Sequence, residues 1–247
     1  MIKYGVILAA GDGGRLAPFT QHVPKPLVPV LGKPMIDYTL ESMAKAGIRD
    51  LVVVTGFRAE ALRQYLGDGC HHGLRVQFIH NPAFESGNAL SLYIAREALA
   101  GDTFLLTMAD HLISLALLEE ALKSDSKYCT LCIDYLPHPF QVEEATKVWV
   151  AKRDRIHKIG KGLKKWNAVD AGVFILTPEI FKGIEDILIK RGDCELSEAA
   201  TWLIEKGPGV RACNVSGTFW FDVDTPFDLE IAEKILRKYC YEEDIQP

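Results

Sequence analysis

Along the chain, unbroken apolar runs of strand length alternate with stretches whose apolar positions recur at helical spacing. The pattern predicts strands at residues 5–10, 51–55, 76–80 and 103–108, and helices at 34–46, 59–66 and about 88–99. Pro34 opens the first of these helices, where a missing backbone N–H costs nothing. Strands without polar alternation are covered on both faces, and intervening helices make their connections parallel. The second half changes character. Residues 128–134 read as a further buried strand, 146–151 and 155–160 flank a charged turn as a hairpin, and 170–177 form another strand. Helices follow at about 178–190 and 196–206, then short strands at 209–214 and around Trp220, and a last helix at 228–239. There is no internal repeat and no long linker, so the pattern predicts a single α/β domain over residues 1–247. Its expected frame is a mixed, mainly parallel sheet with helices on both faces.

Composition narrows the classes. A chain of 247 residues with 48% hydrophobic and 25% charged positions has the balance of a globular protein. Its 28 Lys and Arg against 33 Asp and Glu give a net charge of −5 without a basic block, a poor basis for gripping nucleic acid. Six cysteines are too few for a disulfide scaffold. Cys129 and Cys132 form a C-x-x-C inside a predicted strand, with no second cysteine pair or histidine pair to complete a zinc site, so zinc is not expected there. The N-terminal apolar run is short and leads into Gly11-Asp-Gly-Gly-Arg15 rather than a cleavage site. No apolar run approaches the roughly 18 residues that span a bilayer. The expectation is a cytoplasmic protein without direct membrane insertion.

Candidate chemistry begins just after the first strand, at Leu8-Ala-Ala-Gly-Asp-Gly-Gly-Arg-Leu16. Gly11, Gly13 and Gly14 leave backbone N–H groups uncovered and permit positive φ, so the loop can wrap an anion. In a parallel sheet it lies at the carboxyl edge, where ligands bind. A dinucleotide fingerprint needs glycine where Leu16 stands, and a Walker A motif needs Gly-Lys-Ser/Thr, whereas Gly32-Lys33 is followed by Pro34. Arg15 and then Pro24-Lys25-Pro26-Leu27 follow the loop, and a guanidinium and an ammonium beside a glycine cradle suit a triphosphate.

This motif pair resembles the signature of the sugar-phosphate nucleotidyltransferases. The resemblance implies a Rossmann-like fold, with a nucleotide-binding half over about residues 1–135 and an acceptor-binding half over about 136–247. It implies attack of a substrate phosphate on the α-phosphorus of a nucleoside triphosphate, with pyrophosphate leaving and Mg²⁺ as cofactor. Leu8, Ala9, Ala10, Gly11, Gly13, Gly14, Arg15 and Lys25 would then bind the nucleotide, with Arg15 and Lys25 catalytic. Asp110, after the fourth strand, and Asp222, in Phe219-Trp-Phe-Asp-Val-Asp-Thr225, would hold the metal, Asp110 also lying against substrate. Asp224 is a second candidate at the late position, because strand alternation puts 222 and 224 on one side. His111 is expected to be structural or to touch substrate, since an ionised phosphate nucleophile needs no general base. Gly87 and Asn88 stand where the family meets the base, and Asn88 equally fits a helix cap.

The second-half segments, among them Glu144-Ala-Thr-Lys-Val148, Lys158-Ile-Gly-Lys-Gly-Leu163, Asn167-Ala-Val-Asp-Ala-Gly-Val-Phe174 and Leu196-Ser-Glu198, are similar in order to the cytidylyltransferases that make CDP-inositol from CTP and inositol-1-phosphate. That resemblance places Lys161 on the acceptor phosphate and Asp170 against the acceptor hydroxyls. The lysines 158, 161, 164 and 165 also fit a solvated basic face. Many relatives of this type carry a C-terminal membrane domain that consumes CDP-inositol. The expectation for a chain ending at Pro247 is that the product passes to a separate enzyme. Phosphocholine cytidylyltransferases share the early motifs, and hexose-1-phosphate enzymes using UTP, dTTP or GTP belong to the same family. A non-catalytic nucleotide-sensing regulator is the rival from another class, although Arg15, Lys25, Asp110 and Asp222 are all present.

Overall fold

The computed structural model describes residues 2–67 and 70–243. Its first half runs β1 (Tyr4–Ala9), β2 (Pro29–Val30), β3 (Lys33–Pro34), α1 (Met35–Lys45), β4 (Asp50–Thr55), α2 (Ala59–Leu66), β5 (Cys70–His71), β6 (Leu74–His80), α3 (Asn88–Ile94) and β7 (Phe104–Met108). The second half adds β8 (His111–Ile113), α4 (Leu115–Leu122), β9 (Cys129–Asp134), α5 (Pro139–Val142), β10 (Lys147–Val150), β11 (Ile156–Gly160) and β12 (Ala168–Leu176). It ends with α6 (Glu179–Arg191), α7 (Leu196–Glu205), β13 (Val210–Asn214), β14 (Trp220–Asp222) and α8 (Pro226–Glu243).

Among the described residues ten strands share one sheet. The main path is β11-β10-β12-β7-β1-β4-β6-β5, with β9 on the other edge of β12 and β13 beside β9. The four apolar strands of the first half pair in parallel, Val6 opposite both Val52 and Leu106. Successive residues of a strand face opposite ways, and here both faces are buried. Ile7, Val53 and Leu105 pack with Ile36, Leu40 and Met43 of α1 and with Leu117 and Leu118 of α4. Val6, Val52 and Leu106 pack with Leu92 of α3, Ile180 of α6 and Leu203 of α7. Helices therefore cover both faces, as the unbroken apolar runs require, and the fold is α/β and Rossmann-like.

β12 joins the halves. Its start pairs antiparallel with β10 and its end with β7, while β9 runs along its other edge. The register with β9 breaks between Asp170 and Phe174, and Gly172 takes φ 74 in that break. Cys129 and Cys132 are buried in β9, the first with its sulfur 3.3 Å from the Thr177 hydroxyl. The hairpin expected at 146–160 forms as β10 and β11. The short strands β2, β3, β5 and β8 and the helices α4 and α5 go beyond the predicted pattern. The apolar stretch after β7 continues into β8 and then α4, whose start is capped by Ser114 accepting from the Leu117 N–H at 3.3 Å. The helix expected to reach residue 99 ends at Ile94 and continues as turns. No helix among the described residues is long and apolar enough to cross a membrane.

Candidate active site

β1 delivers its last residues, Leu8 and Ala9, and then Ala10, buried to the carboxyl edge of the sheet. The Leu8 carbonyl accepts from the Ala109 N–H at 3.0 Å, and that of Ala10 from the Phe57 N–H at 2.9 Å. These bonds tie the strand end to the loops after β7 and β4. Beyond Ala10 the chain opens to solvent. Gly13 takes φ 67, and a Cβ there would lie 2.7 Å from Cβ of Lys25, so the loop can rest on Lys25 only as glycine. Asp12 Oδ1 accepts from the Gly14 N–H at 3.2 Å. Among the described residues nothing accepts from the N–H groups of Gly11, Asp12 and Gly13. A curved run of free amides is an anion-binding surface.

Lys25 opens a single 3-10 turn between Pro24 and Pro26, closed by the Val28 N–H on its carbonyl at 3.1 Å. The two prolines restrict the backbone that presents the side chain. Its Nζ donates to Asp110 Oδ2 at 2.7 Å and to Asp224 Oδ1 at 2.6 Å, and the side chain is only 12% exposed. Arg15 reaches the other oxygen of Asp224 at 2.8 Å and approaches Glu144 at 4.0 Å, with 58% of its side chain open to solvent. Burial works against the Lys25 charge, but Asp110 and Asp224 outweigh it and raise the ammonium's pKa. Lys25 is thus a fixed cation and Arg15 a mobile one, both beside the loop amides.

Asp110 follows β7, and β8 starts at the next residue. His111 lies opposite Asp222 in the antiparallel pair of β8 and β14, and the Asp110 carbonyl accepts from the Val223 N–H at 3.0 Å. The imidazole Nδ1 sits 2.8 Å from Asp110 Oδ1. Burial opposes ionisation of Asp110, yet the charges of Lys25 and His111 hold its carboxyl well below the usual range. Burial likewise opposes the imidazolium, but the bond to Asp110 and the charges of Asp110, Asp222 and Asp170 push the His111 pKa up to about 9. His111 is therefore cationic near neutrality, a donor and not a base. Its ring packs on Gly172, where a Cβ would meet it at 2.0 Å. Thr39 of α1 supports the same segment by donating to the His111 carbonyl at 2.6 Å.

Asp170 accepts from the Gly172 N–H at 2.7 Å through Oδ1. Burial pushes its pKa up from 3.8 to about 6. The unfolded chain therefore releases this proton earlier, and folding loses stability between about pH 4 and 6, with the full penalty above. Two units correspond to about 2–3 kcal/mol, part of which returns through His111. Asp170→Asn keeps the acceptor oxygen and is expected to raise Tm at pH 8 by roughly 2–6 °C. The gap should close as pH falls from 6 toward 4. An equal Tm at pH 8, measured by calorimetry, would contradict a buried charge at this position.

The structure gathers Arg15, Lys25, Asp110, Asp170, Asp222 and Asp224 into one charged cluster beside the glycine loop. The late acids lie on one side, both bordering one cavity, although strand alternation does not put them there. β14 ends at Asp222, so Asp224 is placed by the following turn, where it meets Lys25 and Arg15. Asp222 makes no ion pair among the described residues, and burial first, then the charges of Asp110 and Asp224, raises its pKa. A half-buried carboxylate beside two others calls for a cation, and hard oxygens of this kind suit a small divalent ion. Asp222 and Asp224 also border a cavity of about 360 Å³, with Arg15, Glu144, Phe140 and Phe227 on its wall.

Gly87 caps α3 at φ 87, and a Cβ there would lie 2.3 Å from the Cys194 carbonyl oxygen. Asn88 is the first residue of α3 and does not cap it; its Oδ1 accepts from the Leu196 N–H at 2.8 Å, joining α3 to α7. Lys161 is exposed in the turn after β11, and its charge acts on Glu195 next to that junction. The tryptophans are dispersed. The Trp202 indole donates to Asp186, that of Trp220 to Asp134, and Trp149 lies under the Lys165 ammonium. Two residues that stand in the quoted segments without a role of their own take part, Glu144 beside Arg15 and Gly172 beneath His111. A glycine inside an apolar strand, the usual mark of a bulge, was the available signal for the second.

The family model described as nucleotidyl transferase matches residues 4–238. A bifunctional IPC transferase and DIPP synthase of Thermococcus kodakarensis is 39% identical over 233 residues, covering 94% of this chain and 50% of that protein. Its namesake in Aquifex aeolicus is 35% identical over 239 residues, covering 96% of this chain and 53% of the relative. The chain thus spans about half the length of the curated relatives it matches. A solved structure of the inositol-1-phosphate CTP transferase from T. maritima superposes with a TM-score of 0.81 at 26% identity, covering 95% of this chain and 96% of that one.

Proposed function

The chain belongs to the nucleotidyl transferase family, and from that premise we propose that it transfers CMP from CTP to a phosphorylated polyol, preferably inositol-1-phosphate. The products are CDP-inositol and pyrophosphate. One observation carries the reading: Lys25 and Arg15 converge on Asp224 at the open end of the glycine loop. Such an arrangement places two cations and a run of free amides where a polyphosphate would lie. The relatives' names and the T. maritima structure support the choice of CTP and inositol phosphate.

The triphosphate rests on the amides of Gly11 to Gly14, with exposed Arg15 free to swing from Asp224 onto phosphate oxygens. An oxygen of the acceptor phosphate attacks the α-phosphorus, and the bond from that phosphorus to the bridging oxygen of pyrophosphate breaks. Lys25 stays protonated and stabilises charge on the α-phosphate. A phosphate nucleophile is already ionised, and the His111 imidazolium serves to hold Asp110 in place. Asp170 faces the acceptor hydroxyls, and Lys161 steadies the acceptor phosphate. Asp110 and one of Asp222 and Asp224 would hold Mg²⁺, which when bound offsets the negative charge crowded around the α-phosphorus. Gly87, packed against the Cys194 carbonyl, would meet the base through its backbone. Water-soluble substrates of this kind fit a cytoplasmic setting.

A second reading rests on the cavity beside Asp222, where Phe140 and Phe227 meet with ring centroids 6.0 Å apart among acidic side chains. Aromatic faces next to acids suit a quaternary ammonium, hence phosphocholine as acceptor. The test is pyrophosphate release from CTP, UTP, dTTP and GTP with inositol-1-phosphate, phosphocholine and hexose-1-phosphates. The highest kcat/KM is expected for CTP with inositol-1-phosphate. Turnover only with UTP or dTTP and a hexose-1-phosphate would remove the cytidylyl assignment and keep the family. Nucleotide binding without any product would favour a sensing role.

A further inference from the structure

A second cluster of ligand-type side chains lies away from the nucleotide site. Asp37 of α1 and His71 and His72 of the β5–β6 hairpin bring one ligand atom each within 4.8 Å of one another. Both imidazole Nε2 atoms aim at the same carboxylate oxygen, Asp37 Oδ1, His71 at 3.3 Å and His72 at 3.5 Å. These separations are long for hydrogen bonds. They match the ligand-to-ligand edge of a tetrahedron, about 1.6 bond lengths, or ~3.3–3.4 Å for zinc–nitrogen and zinc–oxygen bonds of about 2.0–2.1 Å. Tyr65 of α2 donates to the other carboxylate oxygen, Oδ2, at 2.5 Å and leaves Oδ1 to the histidines. Outer hydrogen bonds of this kind orient metal ligands.

Charge points the same way. The Asp37 side chain is 8% exposed, and among the described residues no lysine or arginine pairs with it. The two rings lie with centroids 4.5 Å apart, close enough to share one divalent ion. The backbone reinforces the placement. His72 and Gly73 form the two-residue turn of the hairpin with φ 51 and 77. That turn favours Asn or Gly at its first position, yet His72 occupies it with its ring on Asp37.

We propose that Asp37, His71 and His72 form a binding site for a divalent transition ion of the zinc class, with water completing the tetrahedron. The ion would clamp α1, α2 and the edge hairpin together. The opposite face of α1 gives Thr39 and Ser42 to the β8 carbonyls of His111 and Ile113, so the clamp braces the strand that carries His111. The test is calorimetric titration of chelator-treated full-length protein with ZnCl₂ at pH 7.5, in excess Mg²⁺ to keep hard-ligand sites filled. One Zn²⁺ per chain is expected, with a rise in Tm on binding. His71→Ala with His72→Ala, at the edge hairpin, should abolish both while leaving the metal-free circular dichroism unchanged. Tyr65→Phe should weaken binding by about 10–100-fold. No zinc binding by the wild type, or undiminished binding by the double histidine variant, would overturn the site.

Discussion

Lys25→Ala is expected to lower kcat for nucleotidyl transfer by a factor on the order of 100 or more, the usual cost of losing a charge-stabilising donor. KM for the nucleotide should move less, because Arg15 and the loop amides remain. Position and charge state set the size of the effect. The ammonium is nearly buried, held by Asp110 and Asp224 from two distant parts of the chain, and kept protonated by both. It has little freedom except to exchange a carboxylate for a phosphate oxygen. Removing it also leaves two carboxylates without their shared cation, so Tm should fall as well, and kcat must be measured below the variant's melting range. Unchanged turnover would remove Lys25 from the reaction.

Asp110→Ala is expected to abolish the divalent-ion dependence of the rate and to lower kcat by a factor on the order of 100 to 1000. The fold should survive, because Asp110 ties β8 to β14 through its backbone carbonyl, which alanine retains. Far-UV circular dichroism checks this. A second readout separates the carboxylate's chemistry from mere packing. His111 owes its raised pKa of about 9 chiefly to Asp110, overcoming burial, so its imidazole should titrate at markedly lower pH in the variant when followed by NMR. A wild-type response to metal concentration would exclude Asp110 from the metal site. An unmoved His111 titration would contradict the ion pair.

The parts legible in sequence are those written by local pattern. Unbroken apolar runs announced the parallel strands β1, β4, β6 and β7, and the glycine loop with Arg15 and Pro24-Lys25-Pro26 lies at their carboxyl edge, where the pattern put it. The clamp on Lys25 was not legible, because its two acids lie 85 and 199 residues away along the chain. Strand alternation put Asp222 and Asp224 on one side, but β14 stops at Asp222, and the turn beyond it aims Asp224 by ion pairing rather than by pleat. β8 and α4 were lost inside one continuous apolar stretch, where strand and helix periods cannot be separated. Asn88 could be read as a cap or a base contact; it does not cap α3, and its side-chain oxygen joins two helix starts, a partner set by tertiary packing. The Asp37, His71 and His72 cluster is invisible for the same reason, since α1 and the edge hairpin meet only in the folded chain.

The most direct measurement is a crystal structure of the protein with CTP and Mg²⁺. The account predicts the triphosphate across Gly11 to Gly14, Lys25 Nζ and the Arg15 guanidinium on phosphate oxygens, and the ion on Asp110 with Asp222 or Asp224. A nucleotide bound elsewhere, or Lys25 still locked between Asp110 and Asp224 without touching phosphate, would contradict it.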